Sequence, residues 1–200
     1  MNASAHSVEG LYAEDANPIA SLMAEESIRA LANSLPQLSQ TPQDIDVRAQ
    51  ALYGAWLAGV TLGSVGMALH RKLCHTLGGT FNLPHAETHT IVLPHAAAFN
   101  FPAAADARTR VARALGTENA AQGLYDLAVT LEIPVALKDL GLQEADLDRA
   151  AQLATQNPYY NPRPFTQESI RTLLDNAFPW PAAARSIKIC KRMRATRRTQ

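Results

Sequence analysis

Apolar residues in this chain recur every three or four positions and almost nowhere every two, a spacing that builds helical faces and gives no alternation for a strand. Alanine, the strongest helix former, occurs 36 times in 200 residues and reinforces that reading. Asn17-Pro18 reads as an N-cap followed by a first-turn proline, opening a helix whose Ile19, Leu22, Met23, Ile28 and Leu31 carry it to about Ser34. A second helix is expected from Pro42 to about Leu62. A third should run from about Ser64, with Leu69, Leu73 and Leu77 four apart and a stop at Gly78-Gly79. A fourth should open near His85 and reach about Asn100, kinked at Pro94, where a main-chain donor is missing. Helices over 102–115, 117–131 with Thr117 as cap, 143–156, and 166–178 with Thr166 as cap complete an all-α chain with no internal repeat. Between the last two, Asn157-Pro158-Tyr159-Tyr160-Asn161-Pro162-Arg163-Pro164 cannot be helical and reads as a rigid surface loop.

Hydrophobic residues at 47% and charged residues at 18% give enough apolar surface to fold and exclude wholesale disorder. Two cysteines, Cys74 and Cys190, make no disulfide framework. No apolar run reaches the ~18 residues of a membrane span, and the polar start Met-Asn-Ala-Ser-Ala-His lacks the order of a secretory signal. The expectation is a soluble protein of the cytoplasm, without a membrane partner. The net charge of zero conceals an asymmetry, because seven basic residues and no acidic one lie between Arg185 and Gln200. With no aromatic interleaving and no reader module, residues 179–200 are expected to be a solvated, unfolded tail and not a nucleic-acid arm.

Five of the six histidines, His70, His75, His85, His89 and His95, fall within 26 residues; His6 stands alone near the start. Imidazole is the commonest neutral metal ligand and the usual acid–base group near neutral pH. Positions four apart on a helix share a face, whereas adjacent positions diverge by about 100°. Asn2 and His6 therefore face one way together, as do Arg71 and His75, His70 and Cys74, and His85 and His89. Any one of these rings reads most simply as a hydrogen-bonded packing residue; the crowding of so many points to a site. Cys74 reads as a small buried hydrophobe, with a metal site shared with His70 as the alternative.

The segment Asn2-Ala-Ser-Ala-His6-Ser-Val-Glu9-Gly resembles the first metal-site helix of the iron-containing alcohol dehydrogenase family. Gly66-Met-Ala-Leu-His70-Arg71-Lys72-Leu-Cys74-His75-Thr-Leu-Gly-Gly, then Phe81-Asn82-Leu-Pro84-His85-Ala-Glu87-Thr-His89 and Val92-Leu-Pro94-His95, resemble the segments that follow it. Within the family, this central run and Asn161-Pro-Arg-Pro-Phe165-Thr are most similar to the maleylacetate reductase branch. The likeness covers residues 1 to 178 and implies a helical domain like the C-terminal one of the dehydroquinate synthase-like fold.

The resemblance implies an oxidoreductase that reduces the double bond of 2-maleylacetate to 3-oxoadipate with NADH or NADPH, acting on a small dicarboxylate, with a homodimer as one candidate assembly. His75 matches the family histidine near the nicotinamide, a proton donor or relay. Arg71, Lys72 and Arg163 are the candidates for holding the substrate's carboxylates. Asn2, His6, Arg71 and His85 fall on the family's metal positions. A guanidinium cannot coordinate a cation, and Asn in place of Asp removes the carboxylate, so the expectation is a vestigial site without tightly bound iron or zinc. Arg71 then either binds a substrate carboxylate through forked hydrogen bonds or merely damages the site. The chain also begins where the family's nucleotide-binding domain has ended, and it has no Gly-rich phosphate loop after a strand. The expectation is a truncated chain, inactive alone, with the cofactor gripped mainly by the missing domain. The alternatives are a metal-dependent alcohol dehydrogenase of the same family, or a non-catalytic helical module.

Overall fold

A computed structural model describes residues 1–157 and 159–179. These residues form nine α-helices and no strand: α1 (Asn2–Gly10), α2 (Pro18–Gln40), α3 (Ile45–Ser64), α4 (Leu69–Phe81), α5 (His85–Asn100), α6 (Ala105–Leu115), α7 (Ala120–Thr130), α8 (Leu147–Ala154) and α9 (Gln167–Ala177). Short 3₁₀ turns over Leu137–Leu140 and Glu144–Asp146 join α7 to α8.

The central helix is α5, buried on every side from Thr88 to Asn100. A helix that is apolar all round belongs inside a bundle, and α5 serves two cores. On one side Ile91, Val92, Ala96 and Phe99 pack with Leu69, Leu73 and Leu77 of α4, Leu147 of α8, and Ile170 and Leu174 of α9. On the other, Leu93 and Ala97 pack with Ala5 and Val8 of α1, Ile28 of α2, Val111 of α6 and Leu124 of α7. The helix stays continuous through Pro94.

Several helix ends differ from the sequence expectation, each for a local reason. Asn17 does cap α2, accepting the Ala20 N–H at 3.0 Å, but the helix continues past Ser34 and Pro36 to Gln40. Side chains help the main chain there: Ser34 Oγ donates to the Ala30 carbonyl and Gln37 Nε2 to that of Asn33. The next helix starts at Ile45 and not at Pro42, because the Asp44 carboxylate accepts the Asp46 and Val47 N–H groups. Gly78-Gly79 does not stop α4. Leu73 and Leu77 are wholly buried, and their packing outweighs about 1 kcal/mol of propensity lost per glycine. The left-handed stop falls on Asn82 (φ 54°), a conformation asparagine tolerates. Thr117 does not cap α7. Its N–H closes the end of α6 on the Ala112 carbonyl, beyond Gly116 at φ 65°, and Asn119 caps α7 instead. The 143–156 helix begins with a 3₁₀ turn, the 102–115 helix begins only at Ala105, and Thr166 caps α9 as expected.

No single helix among the described residues is long and apolar enough to cross a membrane; α3 and α4 meet at a bend of 97°. The basic stretch expected as an unfolded tail lies, from residue 180 onward, outside the described residues.

Candidate functional site

Helices α1, α4 and α5 bring the histidines together, and a buried carboxylate fixes their relation. Ala68 precedes α4 and has no side chain with which to cap it. Glu9 of α1, wholly buried, does so from another helix, its two oxygens accepting the His70 N–H at 2.9 Å and the Arg71 N–H at 3.0 Å. His70 Nδ1 stands 3.9 Å from the same carboxylate. Burial pushes the Glu9 carboxyl up to about 7, against these hydrogen bonds, which pull it down.

His89 is the hub of the cluster. Its ring centroid lies 4.2 Å from that of His85, 4.9 Å from His70 and 6.1 Å from His6. Both nitrogens of His89 are buried without a hydrogen-bond partner, as are His6 Nδ1, His70 Nδ1 and Asn2 Oδ1. Desolvation holds His89 at about 2, and His6 and His70 at about 4. The Arg71 charge acts in the same direction on His6 and His70, so these rings are neutral at physiological pH. His75 is exposed and lowered by partial burial, then by Arg71, His85 and Lys72. His6 and His75 thus each lie within electrostatic reach of Arg71 and His85, on the solvent-facing side of the cluster, its mouth, where His75 and His85 are exposed.

The remaining predicted residues divide. His70 and Cys74 do share a face, with Nε2 and Sγ 3.5 Å apart, and His85 and His89 are neighbours as their spacing predicts. Cys74 is buried within the α4–α5 core. Lys72 Nζ lies 5.9 Å over the Tyr159 ring, which stacks on Phe165. Arg163 is engaged by protein, donating to the Phe99 carbonyl at 3.0 Å with its guanidinium 4.3 Å over the Phe99 ring. His95 lies in the core apart from the cluster, lowered to about 4 by burial alone. Sequence reasoning missed Glu9 and the central place of His89; the i+3 spacing of Glu9 from His6 was the only local signal for the former. A groove of about 240 Å³ between α2 and α3, lined by Arg29, Asn33, Gln37, Asp46 and Gln50 among others, holds none of these groups.

As a metal centre, Asn2, His6, Arg71 and His85 are a poor donor set. They offer two imidazoles and an amide oxygen but no carboxylate, and the Arg71 charge already disfavours a proton on His6. A divalent cation meets the same repulsion more strongly. The Arg71 charge acts on the buried Glu9 carboxylate from one side and on the exposed His75 from the other.

Residues 1–178 match the model of the Fe-containing alcohol dehydrogenase family, C-terminal. A maleylacetate reductase of Sphingobium indicum is 57% identical over 177 residues, 88% of this chain and 50% of its own length. Another, from Pseudomonas sp. strain P51, is 55% identical over 178 residues, 89% of this chain and 51% of its own. The crystal structure of maleylacetate reductase from Agrobacterium tumefaciens superposes with a TM-score of 0.86 at 52% identity, over 88% of this chain and 50% of that one. The chain therefore spans about half the length of the curated relatives it matches.

Proposed function

Since the chain belongs to the Fe-containing alcohol dehydrogenase family, we propose that it is the helical part of a maleylacetate reductase, an oxidoreductase acting on a small unsaturated dicarboxylate. The observation that carries the reading is the convergence of His6, Arg71, His75 and His85, from three helices, on one mouth. Identities above 50% to maleylacetate reductases support it.

When bound, a reduced nicotinamide, NADH or NADPH, supplies hydride to the substrate double bond, which the conjugated ketone makes electrophilic. No residue here is assigned to the nucleotide. Arg71 and Lys72, adjacent on α4, hold the substrate carboxylates and stabilise the enolate that develops. Arg163 steadies the Tyr159–Phe165 loop beside them through Phe99 and is the weaker candidate for direct contact. His75, one turn beyond Arg71 and exposed, gives its proton to the enolate carbon as the imidazolium and regains one proton from solvent. The sum is substrate, reduced nicotinamide and one proton going to the saturated oxo-diacid and oxidised nicotinamide. No step passes through a metal at Asn2, His6, Arg71 and His85.

The test joins residues 1–178 to the preceding half of the Sphingobium indicum reductase and follows oxidation of NADH and NADPH by maleylacetate. Turnover is expected, with His75→Ala lowering kcat about 10²–10⁴-fold and Arg71→Ala both raising KM and lowering kcat. A folded chimera that binds nucleotide but leaves maleylacetate unreduced overturns the reading; His75→Ala at unchanged kcat removes that residue from the chemistry.

A further inference from the structure

We propose that His70, Cys74 and His89 form a buried site for a thiophilic divalent cation, zinc by preference, separate from the positions of the family's iron ligands and independent of the proposed reductase activity. The three ligand atoms lie within 4.8 Å of one another, and all three residues are buried. Around tetrahedral zinc, with nitrogen at about 2.0–2.1 Å and sulfur at about 2.3 Å, two such ligand atoms stand about 3.5 Å apart. His70 Nε2 and Cys74 Sγ are already 3.5 Å apart, held by their i, i+4 spacing on α4.

The second helix makes this more than a lone cysteine. His89 comes from α5, only 1% exposed, with both ring nitrogens lacking any hydrogen-bond partner. Buried imidazole nitrogens left unpaired cost free energy that a bound ion removes. No protein hydrogen bond resists the ring rotation that brings one of them to the ion.

Glu9 supplies the support such a site needs. In the metal-free chain His70 Nε2 donates to the His89 carbonyl at 3.0 Å, so binding must break that bond, turn the ring and move its proton to Nδ1, which faces the Glu9 carboxylate at 3.9 Å. Binding exchanges the thiol proton of Cys74 for the metal: one S–H bond breaks, one S–Zn bond forms and one proton leaves, with no change of oxidation state. The remaining positive charge, and that of Arg71 bearing on His70, are both opposed by the Glu9 carboxylate.

The experiment uses the 200-residue chain carrying Cys190→Ser, which leaves Cys74 as its only thiol, titrated with cadmium and then zinc. The expected result is a thiolate-to-cadmium charge-transfer band that saturates at one equivalent, releases one proton and is displaced by zinc. Zinc should also protect Cys74 from alkylation, reversibly on chelation. Cys74→Ala should abolish the band with helicity intact, and His89→Gln should weaken binding at least about tenfold. Cadmium bound without a thiolate band, a band unaffected by His89→Gln, or no binding near one equivalent overturns the proposal. If His89→Gln fails to fold, proton release and alkylation protection in the parent decide it: both present supports the site, either absent overturns it.

Discussion

The Glu9 carboxylate and the His70 main-chain N–H, 61 residues apart in sequence, meet at 2.9 Å, so the first turn of α4 is capped by a side chain of α1. That bond and its twin to Arg71 set the rotation of α4, and with it the direction of His70, Arg71, Cys74 and His75. Glu9→Ala would bury at least two unpaired N–H groups and is expected to cost about 3 kcal/mol or more. Urea unfolding measures it; a change near zero would show that the cap is dispensable.

Acid should destabilise the fold. His6, His70 and His95 are lowered from 6.5 to about 4 and His89 to about 2, so below 6.5 the unfolded chain binds more protons than the native one. Their contribution is therefore lost as pH falls from 6.5 through 4. Glu9, raised from 4.5 to about 7, acts oppositely: its contribution is full below 4.5 and is lost as pH rises through 7. Four imidazoles outweigh one carboxyl, so Tm should drop between pH 7 and pH 5. In His95→Leu the drop should be shallower, because burial alone shifts that ring; thermal scans at the two pH values check both statements.

Arg71→His should convert the mouth of the cluster into a metal site. With Cys74→Ala silencing the buried cluster and Asn2→Asp restoring a carboxylate, three imidazoles and one carboxylate are available, a set suited to zinc or ferrous iron. Metal retained after dialysis should rise from substoichiometric to near one per chain. No rise would show that Arg71 is not what excludes the ion.

Gly10 ends α1 against α3, and a Cβ there would fall on the Thr61 methyl. Thr61 is fully buried and its hydroxyl is committed to the Leu57 carbonyl, so it cannot simply turn away. Gly10→Ala should cost about 1–3 kcal/mol, read as a lower urea midpoint at unchanged slope.

Asn161 and Asn100 exchange side-chain amide hydrogen bonds of 2.7 and 2.9 Å, tying the loop before α9 to the end of α5. Asn100 has no exposure, so Asn161→Ala strands a buried amide and should cost about 1–3 kcal/mol. The loop should then become cleavable by protease near Tyr160, whereas a resistant loop would assign its order to the Tyr159–Phe165 stack.

What the sequence determined is what 3.6 residues per turn can fix. Helical class, the caps at Asn17 and Thr166, and the pairings of His70 with Cys74 and His85 with His89 follow from spacing within one helix. Helix ends were less legible. Asp44 displaces Pro42, Thr117 serves α6 and not α7, and buried leucines carry α4 through Gly78-Gly79, because capping and core packing compete with local propensity. Which faces meet was decided only in three dimensions. The seat of α1 on α3 depends on the close contact of Gly10 with Thr61, and the placing of α1, α4 and α5 on the Glu9 cap of α4 and on how the two cores share α5. That packing put Glu9 beneath α4, His89 among three other imidazoles and Arg163 on Phe99, since no periodicity along a chain encodes the angle at which two helices cross.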